Sequence, residues 1–185
     1  MSIASRIKLF HLLHFSQPSS ERLIYQIACE NRCRRILEIG LDGARRAQRL
    51  LQAIARKRQL ERLDNLPPVE YLGIDLFEAG NGASLKEVYR LLRSGGAQVR
   101  LLPGEPLATL ARWSNEIGPV DLLLLSNSGG WQQSPRLWYF VPRLMTESSI
   151  LLVEHRDSGE KTHWERLGQL QLDRLKKTAD LRRAA

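Results

Sequence analysis

The feature that most constrains this chain is an alternation. Short apolar runs recur along it, separated by longer stretches whose apolar residues fall at helical spacing. The runs are Arg35-Ile36-Leu37-Glu38-Ile39, Val69 to Asp75, Ala97 to Leu102, Val120 to Ser126 and Ser149 to Glu154. Between them the spacing predicts helices over Ala44 to Arg62, Ser84 to Arg93, Pro106 to Asn115 and Pro135 to Met145, and one from Ser19 to about Asn31 precedes the first run. Asp64-Asn65-Leu66-Pro67-Pro68, Ala79-Gly80-Asn81-Gly82 and Ser94-Gly95-Gly96 punctuate the pattern as breaks.

Repeated strand-helix units of this kind build a parallel sheet with helices on both faces. The first, fourth and fifth runs are almost continuously apolar, as strands covered on both sides are. Right-handed crossovers and one reversal of winding give the order 3-2-1-4-5. The expected fold is therefore α/β, a doubly wound three-layer sandwich on a mostly parallel five-stranded sheet. After Glu154 the chain is polar from His155 to Thr162, and Trp164, Leu167, Leu170 and Leu175 predict a terminal helix, so no hairpin of strands six and seven is expected. The organisation that follows is an N-terminal helical extension over 1–18, a Rossmann-like domain over 19–155 and a basic helical tail over 156–185. A length of 185 residues suits one such core.

Composition excludes several classes. With 43% hydrophobic and 26% charged residues the chain is not of the disordered type. Its longest apolar runs, Leu122 to Leu125 and Ile150 to Val153, fall far short of the roughly 20 residues that span a bilayer. No membrane partner is expected. Ile3 to Phe15 is interrupted by Arg6, Lys8, His11 and His14, and no small-residue cleavage site follows, so a cytoplasmic location is expected.

Two cysteines exclude a disulfide framework. His11, His14, Cys29 and Cys33 number the four ligands a structural zinc takes, yet both pairs lie in amphipathic helical patterns, where buried thiols and flanking imidazoles are the plainer reading. No metal is expected. The net charge of +8 is concentrated in Arg45, Arg46, Arg49, Arg56, Lys57, Arg58 and Arg62, and in Arg174, Lys176, Lys177, Arg182 and Arg183. Such clusters attract polyanions, which keeps a nucleic-acid partner open, but they also read as solvated helix faces and carry no interleaved aromatics.

In an open α/β sheet, ligands bind outside the carboxyl ends of the strands where the winding reverses, here between strands one and four. There Gly40 allows a sharp turn, Gly43 sits where the next helix starts, and Glu38 can accept hydrogen bonds from the loop or a ligand amine. Asp75, ending strand two, can take two hydrogen bonds from ribose hydroxyls. The same glycine also serves any tight turn after a strand, and the same aspartate can cap the segment that follows.

At these residues the chain resembles class I S-adenosylmethionine-dependent methyltransferases. Arg35-Ile-Leu-Glu-Ile-Gly40, Tyr71-Leu-Gly-Ile-Asp75, Arg100-Leu-Leu-Pro-Gly-Glu105 and Val120-Asp-Leu-Leu-Leu-Leu-Ser126 look, in order, like the family's first four strand motifs over about residues 19–155. The resemblance implies S-adenosylmethionine as cofactor. Its methionine part would lie on Glu38, Gly40, Leu41, Asp42 and Gly43, its ribose on Asp75 beside Leu76, and its adenine amine near Glu105, with Ser126 completing the set.

Three departures accompany the resemblance. The family's Gly-x-Gly-x-Gly is Gly40, Asp42 and Ala44 here, and strand four is followed by Ser126-Asn127-Ser128-Gly129-Gly130 rather than a metal-binding or amine-clamping motif. The expected lack of a last hairpin is the third. Glu154 and His155 are the candidates for an acceptor base, Trp131 for a substrate wall, and Trp138-Tyr139-Phe140 for core or an oligomer contact. The implied function is a methyltransferase of unspecified acceptor. A non-catalytic binding or interaction domain of the same fold and an RNA-associated methyltransferase or binder are the alternatives, and homo-oligomers are allowed. A dinucleotide-dependent dehydrogenase is disfavoured, because Gly-x-Gly-x-x-Gly is not met at Gly40, Asp42 and Arg45.

Overall fold

A computed structural model describes residues 3–63, 65–80, 82–127, 131–157, 161–168, 170–175 and 177. Asp64 and Asn81 of the expected breaks, Ser128, Gly129 and Gly130 after strand four, and Lys176, Arg182 and Arg183 of the basic tail lie outside the described residues.

The expected strand-helix alternation forms. Helix α1 (Ile3–His14) and α2 (Arg22–Glu30) precede β1 (Arg35–Ile39), α3 (Arg45–Leu60), β2 (Glu70–Asp75), α4 (Leu85–Arg93), β3 (Gln98–Pro103), α5 (Pro106–Ile117) and β4 (Leu122–Leu125). Then come α6 (Pro135–Phe140), β5 (Ile150–Arg156) and β6 (Thr162–Arg166). Local chemistry explains the boundaries. Ser84 and Glu87 form a reciprocal capping box at the start of α4, and Glu105 accepts from the amides of Leu107 and Ala108 at the start of α5. The aromatic helix ends earlier than expected, because Pro142 cannot continue it and Val141–Leu144 tightens into a 3₁₀ turn.

The sheet is six-stranded, in the order β3-β2-β1-β4-β5-β6. The first five strands are parallel, and β6 runs antiparallel to β5 with Glu154 opposite Trp164 and His155 opposite His163. This corrects two expectations: the sheet has six strands rather than five, and Trp164 belongs to a closing hairpin strand instead of a terminal helix. Only Trp164 among the residues of β6 is buried. A polar edge strand with a single buried side chain leaves almost no period-two signal.

Alternation along the strands divides the core. Ile36, Tyr71, Leu122, Leu124 and Leu152 face α1 to α4, whereas Leu37, Ile39, Leu72, Leu123, Leu125 and Val153 face α5 and α6. Trp131 is buried in the second layer rather than walling an open loop, and Trp138 and Phe140 pack against that layer. The start of β4 is tied to β1 by Asp121, whose Oδ2 accepts from the amides of Arg34 and Arg35 at 2.7 and 2.9 Å.

Cys29 and Cys33 are free and buried in the first layer. Burial pushes both thiols up to about 12. Neither should react with Ellman's reagent in native protein near pH ~8, and both should react once denaturant unfolds it. The protonated thiols contribute stability that is complete below their ordinary value of 9.0 and is lost as pH rises toward about 12. Urea midpoints should therefore fall across that alkaline range, and substituting both cysteines by serine should remove that part of the fall.

Candidate cofactor crevice

The carboxyl end of β1 is gripped on both sides. The Gly40 amide donates to the Ile74 carbonyl at 2.9 Å, and the Ser126 amide donates to the Ile39 carbonyl at 3.0 Å. The chain then turns through Asp42, Gly43 and Ala44, whose φ angles of 46, 78 and 63° are all left-handed, before α3 begins. Only Gly43 adopts this backbone without steric cost, so Asp42 and Ala44 hold a shape that favours glycine. That is where the sequence departs from a three-glycine loop.

Asp75 secures the turn. Its Oδ2 accepts from the Leu41 amide at 2.6 Å, and its Oδ1 from the Phe77 amide at 3.3 Å. The Leu41 side chain is folded over Gly73, where an added Cβ would come within 3.0 Å of it and 2.9 Å of Leu101. The glycine in β2 is what lets this loop lie flat on the sheet. Between the two loops a crevice of about 160 Å³ is lined by Leu41, Asp42, Gly43, Asp75, Phe77 and Gly82, among others. Among the described residues, two carboxylates and no cationic side chain line it. It is smaller than the ~300–1,000 Å³ of ordinary ligand pockets, so it receives part of a ligand. A crevice of about 170 Å³ at the amino ends of β2 and β3, by Arg58, Val69 and Gly96, is as large, so chemistry rather than size distinguishes the two.

Beneath the loop lies a buried polar network that the sequence reading missed. Glu38 is fully buried, and Arg46 is 6% exposed. Arg46 Nε donates to Glu38 Oε1 at 2.8 Å, and its Nη2 to the Gly40 carbonyl at 2.9 Å. The Tyr71 hydroxyl donates to Glu38 Oε2 at 2.6 Å. On the other side Arg46 Nη1 lies 3.9 Å from Glu154 Oε1, and the indole of Trp164 stacks on the guanidinium at 4.9 Å. Glu154 Oε2 in turn accepts from Ser126 Oγ at 2.7 Å and from the Asn127 amide at 2.9 Å.

Burial pushes the Glu38 carboxyl above the usual carboxylate range, opposed by the attraction of Arg46 and the hydrogen bond from Tyr71. Burial also works against the charge of Arg46, yet Glu38 and Glu154 hold its guanidinium above its ordinary value. Arg46 is thus no part of a solvated basic face. Its spacing was the available signal, because Arg46 sits one turn from Leu50 and two from Ile54 on the buried stripe of α3.

The expected site residues separate into groups. Leu41, Asp42, Gly43 and Asp75 line one crevice. Gly40 forms its hinge, Leu76 is exposed beside it, and Glu38 lies below with both oxygens engaged by protein. Glu105 is spent on its own helix at 3.1 and 2.7 Å, and Ser126 turns to Glu154. Glu154 and His155 point to opposite sides of β5. His155 stacks on His163 at 5.4 Å with its Nε2 3.2 Å from Glu165, away from the crevice. The four zinc candidates do not assemble, since His11 and His14 pack on exposed Phe15 and Phe10 while the cysteines face the core.

No protein-family model and no curated protein matches this sequence. Solved structures do match the fold. An O-methyltransferase from Bacillus cereus in complex with S-adenosylhomocysteine aligns over 100% of this chain and 81% of its own, at 12% identity and a TM-score of 0.57. The O-methyltransferase TomG from Streptomyces achromogenes, involved in tomaymycin synthesis and solved with S-adenosylmethionine, aligns over 96% of this chain and 78% of its own, at 17% identity and a TM-score of 0.55. The chain has the class I methyltransferase fold.

Replacing Arg46 with methionine would leave the Glu38 carboxylate buried without its cation, and such a loss costs about 3–5 kcal/mol. Arg46→Lys, which keeps the charge but loses the fork that spans Glu38 and Gly40, should cost less. Urea denaturation of the two variants, read by far-ultraviolet circular dichroism, checks the order.

Proposed function

We propose that this protein binds S-adenosylmethionine in the crevice between the loops after β1 and β2, and that it is a methyltransferase. The observation that carries the reading is the charge of that crevice: Asp42 and Asp75 line it with no cationic side chain among its described residues. A dinucleotide presents a pyrophosphate, which such a lining repels. S-adenosylmethionine presents a sulfonium and an ammonium, which it attracts, and ribose hydroxyls, for which Asp75 retains lone pairs beyond those taken by Leu41 and Phe77. The fold is that of proteins solved with this cofactor or its demethylated product.

In this reading the residues have distinct tasks. Asp75 holds the ribose and at the same time fixes the Leu41 amide, so ligand and loop share one carboxylate. The left-handed turn over Asp42 to Ala44 lies against the methionine end, and Asp42 neutralises the ammonium. The bound cofactor supplies a methyl group on a sulfonium, whose thioether is a good leaving group, so the chain's part is chiefly to align the acceptor with it. Glu154, committed to Ser126, Asn127 and Arg46, shapes the far wall rather than removing protons.

Calorimetric titration tests the reading. S-adenosylmethionine should bind, and more tightly than S-adenosylhomocysteine, which lacks the sulfonium charge. Asp42→Asn should weaken binding of both ligands, because both carry the ammonium that Asp42 neutralises. Asp75→Ala should weaken binding by about 10–100-fold, the value of one or two charge-assisted hydrogen bonds. Absence of binding by well-folded protein would sink the proposal. Binding without transfer of a labelled methyl group to any acceptor in a cell extract would favour the non-catalytic alternative.

A further inference from the structure

Helix α1 carries a feature that the crevice does not use. Ile3 is 76% exposed, Ile7 61%, Phe10 57% and Phe15 57%. Ile3, Ile7, Phe10 and His14 recur at helical spacing and share one stripe, with the Phe10 ring 4.7 Å from His14 and 5.8 Å from Phe15. The opposite face is already occupied, since Leu9 is buried and Leu12 and Leu13 pack against the core. A docked helix with a second apolar stripe facing outward needs no further ordering to bind something.

The flanks of the stripe decide what it binds. Arg6 and Lys8 are exposed beside it and enter no ion pair among the described residues. No acidic residue occurs before Glu21. A second copy of the chain fits poorly, because two-fold pairing of α1 along the stripe would set Arg6 and Lys8 near their own counterparts with no carboxylate in either helix. Nucleic acid would suit the charge but not Ile3 and Ile7, which offer no ring for base stacking and are the most exposed of the four. A surface that is apolar within and anionic at its headgroups satisfies both halves of the pattern.

We propose that α1 docks this protein onto anionic phospholipid bilayers, lying in the interface with Ile3, Ile7, Phe10 and Phe15 inserted and with Arg6 and Lys8 at the headgroups. The helix lies on the membrane and does not cross it, in keeping with the lack of any helix long and apolar enough to span among the described residues. The inference is independent of the cofactor reading.

The test is flotation of the full chain with large vesicles of equimolar phosphatidylglycerol and phosphatidylcholine, compared with phosphatidylcholine alone. Binding to the anionic vesicles should exceed binding to the neutral ones and fall as salt rises. Ile7→Glu with Phe10→Glu should reduce it at least about tenfold, with an unchanged melting temperature because both side chains are exposed. Lys8→Glu should weaken binding while leaving the apolar stripe intact. Equal binding to both vesicle types, or none to either, would overturn the proposal. So would a dimer by light scattering that the double variant dissolves, or salt-sensitive binding to an oligonucleotide that the same variant abolishes.

Discussion

The ion pair between Glu38 and Arg46 is the interaction on which the carboxyl end of the sheet depends. It sits where a parallel strand must stop and the chain must turn sharply, and it ties together side chains and backbone from four parts of the fold. Glu38 belongs to the central strand, Arg46 to the helix that follows, the Gly40 carbonyl to the turn between them, and Tyr71 to the neighbouring strand. Through Glu154 the same guanidinium reaches the end of β5 and the first residues after β4. Desolvating these charges is costly, and the cost is offset by the hydrogen bonds that Arg46 and Tyr71 give to Glu38 and that Ser126 and Asn127 give to Glu154. The result is a rigid floor beneath a strained loop.

That floor gives the crevice its chemical character. With Arg46 turned inward, its charge is held below the turn by Glu38 and Glu154, and the carboxylates of Asp42 and Asp75 set the sign of the lining among the described residues. Asp75 also holds the Leu41 amide, so the shape of the loop depends on a side chain that lines the crevice. A chain of this fold can lose glycines from its first loop and keep the left-handed turn, provided the surrounding hydrogen bonds over-determine it. Asp42 and Ala44, held at positive φ between Asp75 and Arg46, are in that situation.

Much of the fold was legible in the sequence because buried parallel strands and amphipathic helices have strong periods. The order of the first five strands followed from right-handed crossovers and one reversal of winding. What escaped were elements whose signal is weak for physical reasons. Strand β6 buries one residue of its five, and the pairing that makes it a strand is invisible until β5 is placed beside it. Arg46 was hidden among neighbouring cations, although a glutamate in the middle of an apolar strand already required a buried partner. Of the candidate site, the positions at the ends of β1 and β2 were legible and converge on one crevice. Glu105 and Ser126 stand at the right strand ends, but whether an oxygen faces outward or serves its own helix or neighbour depends on rotamers that no motif encodes.

The acid-lined crevice above the Glu38–Arg46 pair is the proposed cofactor site, and the location of binding tests that proposal most directly. Backbone amide resonances of isotope-labelled protein, followed during titration with S-adenosylmethionine, should shift at Gly40 to Ala44 and at Asp75 to Phe77 and stay unchanged at the opposite end of the sheet. Unmoved resonances at these residues, or shifts centred on Val69 and Gly95 to Ala97 by the other crevice, would contradict it.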